Sequence, residues 1–374
     1  MANETQSASA TRDPDSQEAV RIGVVGAGWF ASRRHLPDAQ QNPRVTIAAL
    51  CRRDPEARAK MAARFGVPPE RAYEDWRRML DEAELDAVLI ATPNALHYEQ
   101  AQAALERGLH VLVEKPMAVR SAEAWELVAL ARAKDRKLAV ALNPPFWAHC
   151  HRIRRALRDP RMGSLENASL YFTSSAEYVF GRAPLPADLP GVVPPTLFRA
   201  DPELTGGGYF IDGGSHLVSE LLWVTGLRAR RVCALMDTTP TDMRACVSLE
   251  LDNGVVAAIN TIGDSKYARR RVRNVFGTTN GMITVNTYDF ETQIVMTDQE
   301  TQTFREGDIF PVANPITNFV DAIQGRGALF SPGEHGAQVV EVVEAAYRSA
   351  ETGQTITLQE SGTPPTETAP VPTS

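Results

Sequence analysis

Arg21-Ile22-Gly23-Val24-Val25-Gly26-Ala27-Gly28-Trp29-Phe30-Ala31 is an apolar strand that runs straight into a glycine turn and the start of a helix. Glycine at 26 permits a tight turn, glycine at 28 lets the backbone approach a pyrophosphate, and Ala31 is small enough for the helix to pack on the strand. The helix start at Trp29 and Phe30 offers unsatisfied N–H groups and positive potential to phosphate. A lone glycine turn of this kind needs no ligand. At the first strand–helix junction of a βαβ domain it reads as a dinucleotide site.

The flanking sequence supplies that context. Strands are predicted at 21–25, 45–50, 87–91, 109–113 and 137–142, with helical periodicity between them, as at 95–107 and 121–134. Such alternation means a parallel, doubly wound sheet. Asp54-Pro55-Glu56 reads as an N-cap with proline at the first helical position, and Gly108 stops a helix before the fourth strand. The dinucleotide-binding domain is therefore expected over 20–143. Beyond it the pattern changes. A linking helix (146–157), a strand (165–173), a proline-rich loop (181–204) and a helix (211–225) precede successive strands over 230–305. Two helices, 315–324 and 334–351, close the chain, so 144–358 is predicted as an α+β domain carrying a large mixed or antiparallel sheet. The polar stretches 1–19 and 359–374 read as disordered tails.

Thirty-nine basic against 46 acidic residues give a net charge of −7, which argues against bulk binding to nucleic acid or anionic membranes. No stretch approaches the ~20 apolar residues of a membrane span, and the first 19 residues hold no apolar signal core. Cys51, Cys150, Cys233 and Cys246 show neither disulfide nor zinc spacing, so a reducing cytoplasm is expected.

The second strand ends in Cys51-Arg52-Arg53-Asp54. An NAD site carries a carboxylate near here for the ribose hydroxyls, but Asp54 is better used as the helix cap. Arg52 and Arg53 would meet a 2′-phosphate, so NADP(H) is favoured over NAD(H). One charge-assisted bond is worth about 1.5–3 kcal/mol, roughly tenfold to a hundredfold in preference.

Ligands of open parallel sheets sit beyond the carboxyl ends of the strands. Glu114-Lys115-Pro116 follows one such end, and Thr92-Pro93-Asn94, with His97 shortly after, follows another. All are expected on the nicotinamide side, with His97 either near the cofactor or on the helix surface. In Asp212-Gly213-Gly214-Ser215-His216 an acid and an imidazole stand four residues apart on one helix face, behind the close-approach loop Gly206-Gly207-Gly208. Trp147 could stack on a sugar face or simply pack the linking helix. His149-Cys150-His151 invites a metal, but neighbours on a helix diverge by about 100°, and no metal is expected. His151-Arg152-Ile153-Arg154-Arg155 reads as a solvated face.

Over 20–355 the chain resembles the glucose–fructose oxidoreductase, inositol dehydrogenase and rhizopine-catabolism (Gfo/Idh/MocA) family. GVVGAGWFA, ATPNALHYEQAQAALERGLHVLVEKPMA and GGGYFIDGGSHLVSELLWVTG carry the resemblance, in that order. It implies a Rossmann domain followed by a domain with an open-faced sheet that often forms homodimers or homotetramers. It also implies that Lys115, Asp212 and His216 converge at the nicotinamide as catalytic and substrate-binding groups. His216 or Lys115 would take a hydroxyl proton as hydride leaves a sugar or cyclitol carbon, and Asp212 would orient His216 or the substrate. Ser219 stands where many members carry Asp, which leaves that carboxylate's role without an owner. A glycoside-cleaving hydrolase or lyase with a permanently bound nicotinamide is the alternative, and a nicotinamide-sensing regulator a third, disfavoured by the two proton-transfer groups.

Overall fold

The computed structural model describes residues 18–267, 271–286, 289–297, 299–305, 308 and 312–359. The tails expected at 1–19 and 359–374 lie, except for residues 18, 19 and 359, outside the described residues.

Six strands form the first sheet: β1 (Val20–Val25), β2 (Val45–Cys51), β3 (Ala72–Tyr73), β4 (Ala87–Ile90), β5 (His110–Val113) and β6 (Leu138–Val140). Their order is β3-β2-β1-β4-β5-β6 and every pairing is parallel. The order reverses between β1 and β4, which opens a crevice at their carboxyl ends. Helices α1 (Trp29–Arg33), α2 (His35–Gln41), α3 (Pro55–Phe65), α4 (Trp76–Glu82), α5 (His97–Glu106) and α6 (Ser121–Ala133) cover the sheet. Asp54 caps α3 as its sequence suggested, accepting from the Ala57 amide at 2.7 Å.

In the second half, α7 (Ala148–Leu157), β7 (Leu165–Thr173), α8 (Pro202–Thr205) and α9 (Ser215–Thr225) come first. The strands β8 (Ala229–Met236), β9 (Arg244–Leu251), β10 (Val256–Ile262), β11 (Arg271–Thr278), β12 (Gly281–Asn286), β13 (Glu291–Met296) and β14 (Gln302–Phe304) follow. Helices α10 (Pro315–Ile323) and α11 (Gly333–Thr352) and a short β15 (Ile356–Thr357) complete the fold. The nine-stranded sheet runs β14-β13-β12-β11-β7-β10-β9-β8-β15 and is antiparallel except where β7 pairs with β10. Period-2 alternation divides its faces. Val232, Val247, Leu249, Ala257 and Ile259 point in beneath α9 and α11, while Cys233, Leu235 and Val256 point out. The last helices return to the first sheet: Phe319 of α10 shares a buried cluster with Val24 and Leu36, and α11 packs on α6.

The linking helix starts at Ala148 rather than 146, because Pro144–Phe146 forms a separate 3-10 turn. The helix expected over 211–225 is regular only from Ser215; Phe210–Gly214 is a π-helical turn. Among the described residues no helix is long and apolar enough to cross a membrane.

Gly26 shows why the turn demands glycine. Its φ is +82°, and a Cβ there would lie 2.6 Å from Thr92 Cγ2 and 2.8 Å from the Ala91 carbonyl. Gly26→Ala should therefore lower stability by roughly 1–3 kcal/mol and abolish dinucleotide binding, read by thermal unfolding and by quenching of tryptophan fluorescence with NADPH. An unchanged melting temperature would contradict the close approach of the two loops.

Candidate active site

The glycine turn is tied to the end of β2: the Gly26 and Ala27 amides both donate to the Cys51 carbonyl at 3.1 Å. Gly28 then caps α1 with no side chain in the way of its first amides. Arg52 lies over the turn, donating to the Ala27 carbonyl at 3.2 Å, with the same nitrogen 3.2 Å from where a Gly28 Cβ would be. Arg53 is exposed beside it. The first amides of a helix, free of any capping side chain, and a guanidinium together suit a dinucleotide. Trp29 and Phe30 aim their rings away from the turn. The Trp29 indole donates to the Pro190 carbonyl at 2.7 Å, and Phe30 packs edge-on to His35 at 5.7 Å between ring centres.

Past β5, Glu114 and Lys115 take different partners. Glu114 meets His35 Nε2 at 2.5 Å and accepts from the Lys115 amide at 3.1 Å. The Lys115 ammonium instead reaches across to the second half, donating to the Asp212 carbonyl and to Asp212 Oδ1, both at 2.7 Å. Arg199 Nε donates to the same Oδ1 at 3.0 Å. Burial alone would push the Asp212 carboxyl up, but Arg199 and Lys115 override it and hold the group well below the ordinary carboxylate range. Asp212 therefore stays ionised, and its carboxylate serves these two cations, where the sequence had given it His216 or the substrate to orient. Arg199 was missed: it sits in the proline-rich loop, where no periodicity or motif marks it.

Two buried supports fix this geometry. His97 is wholly buried, which removes the helix-surface alternative. Its ring joins the Thr92 carbonyl (2.9 Å) to the Pro116 carbonyl (2.7 Å), clamping the loops that follow β4 and β5, and burial lowers its pKa. Thr92 Oγ1 donates to Gln100 Oε1 at 2.6 Å, and Asn94 Nδ2 donates to the Thr205 carbonyl at 2.9 Å, linking the first sheet's loops to Gly206-Gly207-Gly208. On the other side, Asp242 accepts from the Phe210 amide (2.8 Å) and the Tyr347 hydroxyl (2.6 Å). A Cβ at Gly208 would lie 2.3 Å from the Asp242 carbonyl oxygen, so only glycine lets this segment seat the π turn carrying Asp212. Such turns gather at functional positions.

His216 stands half-buried at the start of α9, its ring 6.2 Å from Trp147. Trp147 continues into Phe290 (5.2 Å) and His149 (5.4 Å), so one aromatic wall backs the imidazole. Arg152 and Arg154, expected in solvent, lie over Phe304 (3.8 Å) and Trp223 (4.3 Å). Ser219 pairs with His335 of α11 at 2.8 Å. Among the described residues one trio could reach a single ion: His149, Cys150 and Glu220, all buried, with ligand atoms within 4.8 Å. Each has a protein partner, however. His149 Nε2 meets Cys150 Sγ at 3.4 Å, and Asn274 donates to Glu220 at 2.7 Å. His151 turns to the Pro145 carbonyl at 2.8 Å.

The family model for the oxidoreductase family with an NAD-binding Rossmann fold (GFO_IDH_MocA) matches residues 20–142, and that for the GFO/IDH/MocA C-terminal domain matches 151–284. A dTDP-3,4-didehydro-2,6-dideoxy-alpha-D-glucose 3-reductase of Streptomyces antibioticus is 36% identical over 41% of this chain; the matched stretch spans 46% of that enzyme, about half its length. D-xylose 1-dehydrogenase (NADP(+)) 2 of Haloferax volcanii is 28% identical over 90% of this chain and 99% of its own. Among solved structures, an inositol dehydrogenase homolog complexed with NAD+ from Azotobacter vinelandii shares the fold. Its TM-score is 0.79 at 20% identity, covering 91% of this chain and 98% of that one.

Glu220 yields a test of the layer beneath the site. Burial pushes its carboxyl up to about 7, although the Asn274 bond pulls the other way. The folded protein thus holds a proton that the unfolded chain releases near pH 4.5, and stability falls as pH rises from there through about 7. Glu220→Gln keeps an acceptor for Asn274 and cannot ionise. Its melting temperature should match the parent near pH 5 and exceed it at pH 8, by roughly 3 kcal/mol of stability. A gap that does not widen with pH in calorimetry would contradict the buried acid.

Proposed function

The chain belongs to the Gfo/Idh/MocA family of NAD(P)-binding oxidoreductases, and from that premise we propose that it exchanges a hydride between nicotinamide C4 and a secondary alcohol or ketone of a sugar, sugar derivative or cyclitol. The observation that carries this reading is the 2.7 Å contact of Lys115, just past the carboxyl end of β5, with Asp212 of the second half. It brings a proton-bearing amine to where the crevice of a doubly wound sheet takes its ligand.

The reaction divides among this chain's own groups. Gly26, Gly28 and the amides of Trp29 and Phe30 would hold the pyrophosphate, with Thr92, Asn94, His97 and Glu114 shaping the side of a nicotinamide that would supply hydride chemistry when bound. An ammonium has three protons to donate; Lys115 spends two on Asp212, and its third points the substrate oxygen. His216 takes the hydroxyl proton during oxidation and returns it during reduction. Trp147 presents an apolar face to the sugar ring. Asp212, kept anionic, anchors Lys115.

Arg52 over the turn and exposed Arg53 favour NADP(H) over NAD(H), and the use of Asp54 as a helix cap supports this by withdrawing the nearby carboxylate. The outer face of the nine-stranded sheet, with Leu235 at 74% and Val256 at 60% exposure, suits contact between copies in a homodimer or homotetramer. The setting is the cytoplasm, without nucleic acid or membrane as partner.

A screen of sugars and cyclitols with NAD and NADP in parallel, followed at 340 nm, tests the activity. Lys115→Ala and His216→Ala should each lower turnover by about a hundredfold or more while NADPH still binds; normal turnover in both would remove the assignment. NADPH should bind about tenfold to a hundredfold more tightly than NADH, and Arg53→Ala should narrow that ratio.

A further inference from the structure

We propose that Arg199 forms an anion subsite beside the Lys115–Asp212 pair, and that the sugar this site takes carries a carboxylate or phosphate directly on its ring. The inference rests on the dehydrogenase reading above and names its substrate class.

Lys115 and Arg199 both donate to the one oxygen Asp212 Oδ1, at 2.7 and 3.0 Å, so two cations face one carboxylate. The side chains are 9%, 16% and 22% exposed for Lys115, Arg199 and Asp212, so water screens them weakly. The Glu114 carboxylate turns to His35 and Asp201 caps α8, so neither contacts Arg199. Asp212 is the carboxylate that both cations share, in a chain whose overall charge is −7.

Geometry points the same way. Asp212 is bound twice by Lys115, through its carbonyl and its carboxylate, and Arg199 adds one bond more. Arg199 uses only Nε for that bond, and its ring stacking is with the adjacent Phe198. Among the described residues no group bonds either terminal nitrogen. A guanidinium's two terminal nitrogens form a fork matched to two oxygens of a carboxylate or phosphate. Because Arg199 and Lys115 share one oxygen atom, an anion on that fork lies within about one sugar ring of an oxygen held by Lys115. The charge therefore belongs on the ring or its first substituent.

The test is calorimetric titration of the NADPH-loaded protein with three probes: D-glucuronate, α-D-glucose 1-phosphate and D-glucose. One anionic probe should bind at least about tenfold more tightly than glucose, and the better of the two identifies carboxylate or phosphate. Arg199→Met should bring that probe to the level of glucose. Arg199→Lys, which keeps the charge but not the fork, should fall between, and salt should narrow the difference in the parent. Equal binding of all three probes, no measurable binding of either anion, or an anion preference that survives Arg199→Met would each overturn the subsite. Failure to bind NADPH in the same instrument would instead sink the dehydrogenase reading, so the two failures are distinct.

Discussion

The ammonium of Lys115 on Asp212 ties the loop past β5 to the turn that carries Asp212, and it sets the geometry of the site within a frame that α10 and α11 hold by packing on the first sheet and its helices. A pair so little exposed is not stabilising by default, since taking both charges from water costs several kcal/mol per ion before attraction repays it. Repayment here comes from multiplicity: the lysine makes two bonds, and the carboxylate gains a second cation in Arg199. Removing Lys115 would leave Asp212 on Arg199 alone; removing Asp212 would leave two cations facing each other. The asymmetry makes the carboxylate the keystone of the three, although it need not touch substrate.

A pair of this kind must be aimed to within a fraction of an ångström, and the aiming is done by buried groups. His97 fixes the spacing of two strand-end loops through a pair of carbonyls, and so sets where Lys115 leaves the first sheet. Asp242 and Tyr347 do the equivalent for the glycine loop that delivers Asp212. Asp242 is itself pushed up to about 6 by burial, so below that pH it is a neutral acid.

How much of this was legible in the sequence depended on the range of the interactions. The first sheet could be read because its signals are local: a strand, a glycine turn, a capping Asp54, a stop at Gly108. The nine-stranded sheet could be read as strands but not as an order, since the parallel pairing of β7 with β10 joins residues some 90 apart and leaves no local trace. Likewise, nothing within α10 says that Phe319 packs against Val24. At the site, Lys115, Asp212 and His216 lie in motifs and were named. Arg199 lies in a proline-rich loop whose fold depends on what it touches. The π turn at 210–214 also escaped, because its sequence has the apolar spacing of an ordinary helix start.

That loop carries one further consequence. At one end it holds the helix of the phosphate turn: Pro190 accepts from Trp29, and the Val192 amide donates to Ser32 Oγ at 3.1 Å. Close behind, the same stretch delivers Arg199 to Asp212. Six residues lie between Val192 and Arg199, a short tether for the two contacts. One loop therefore touches both the helix that follows the glycine turn and the carboxylate that holds Lys115, and the order of these contacts, rather than its sequence pattern, determines where Arg199 stands.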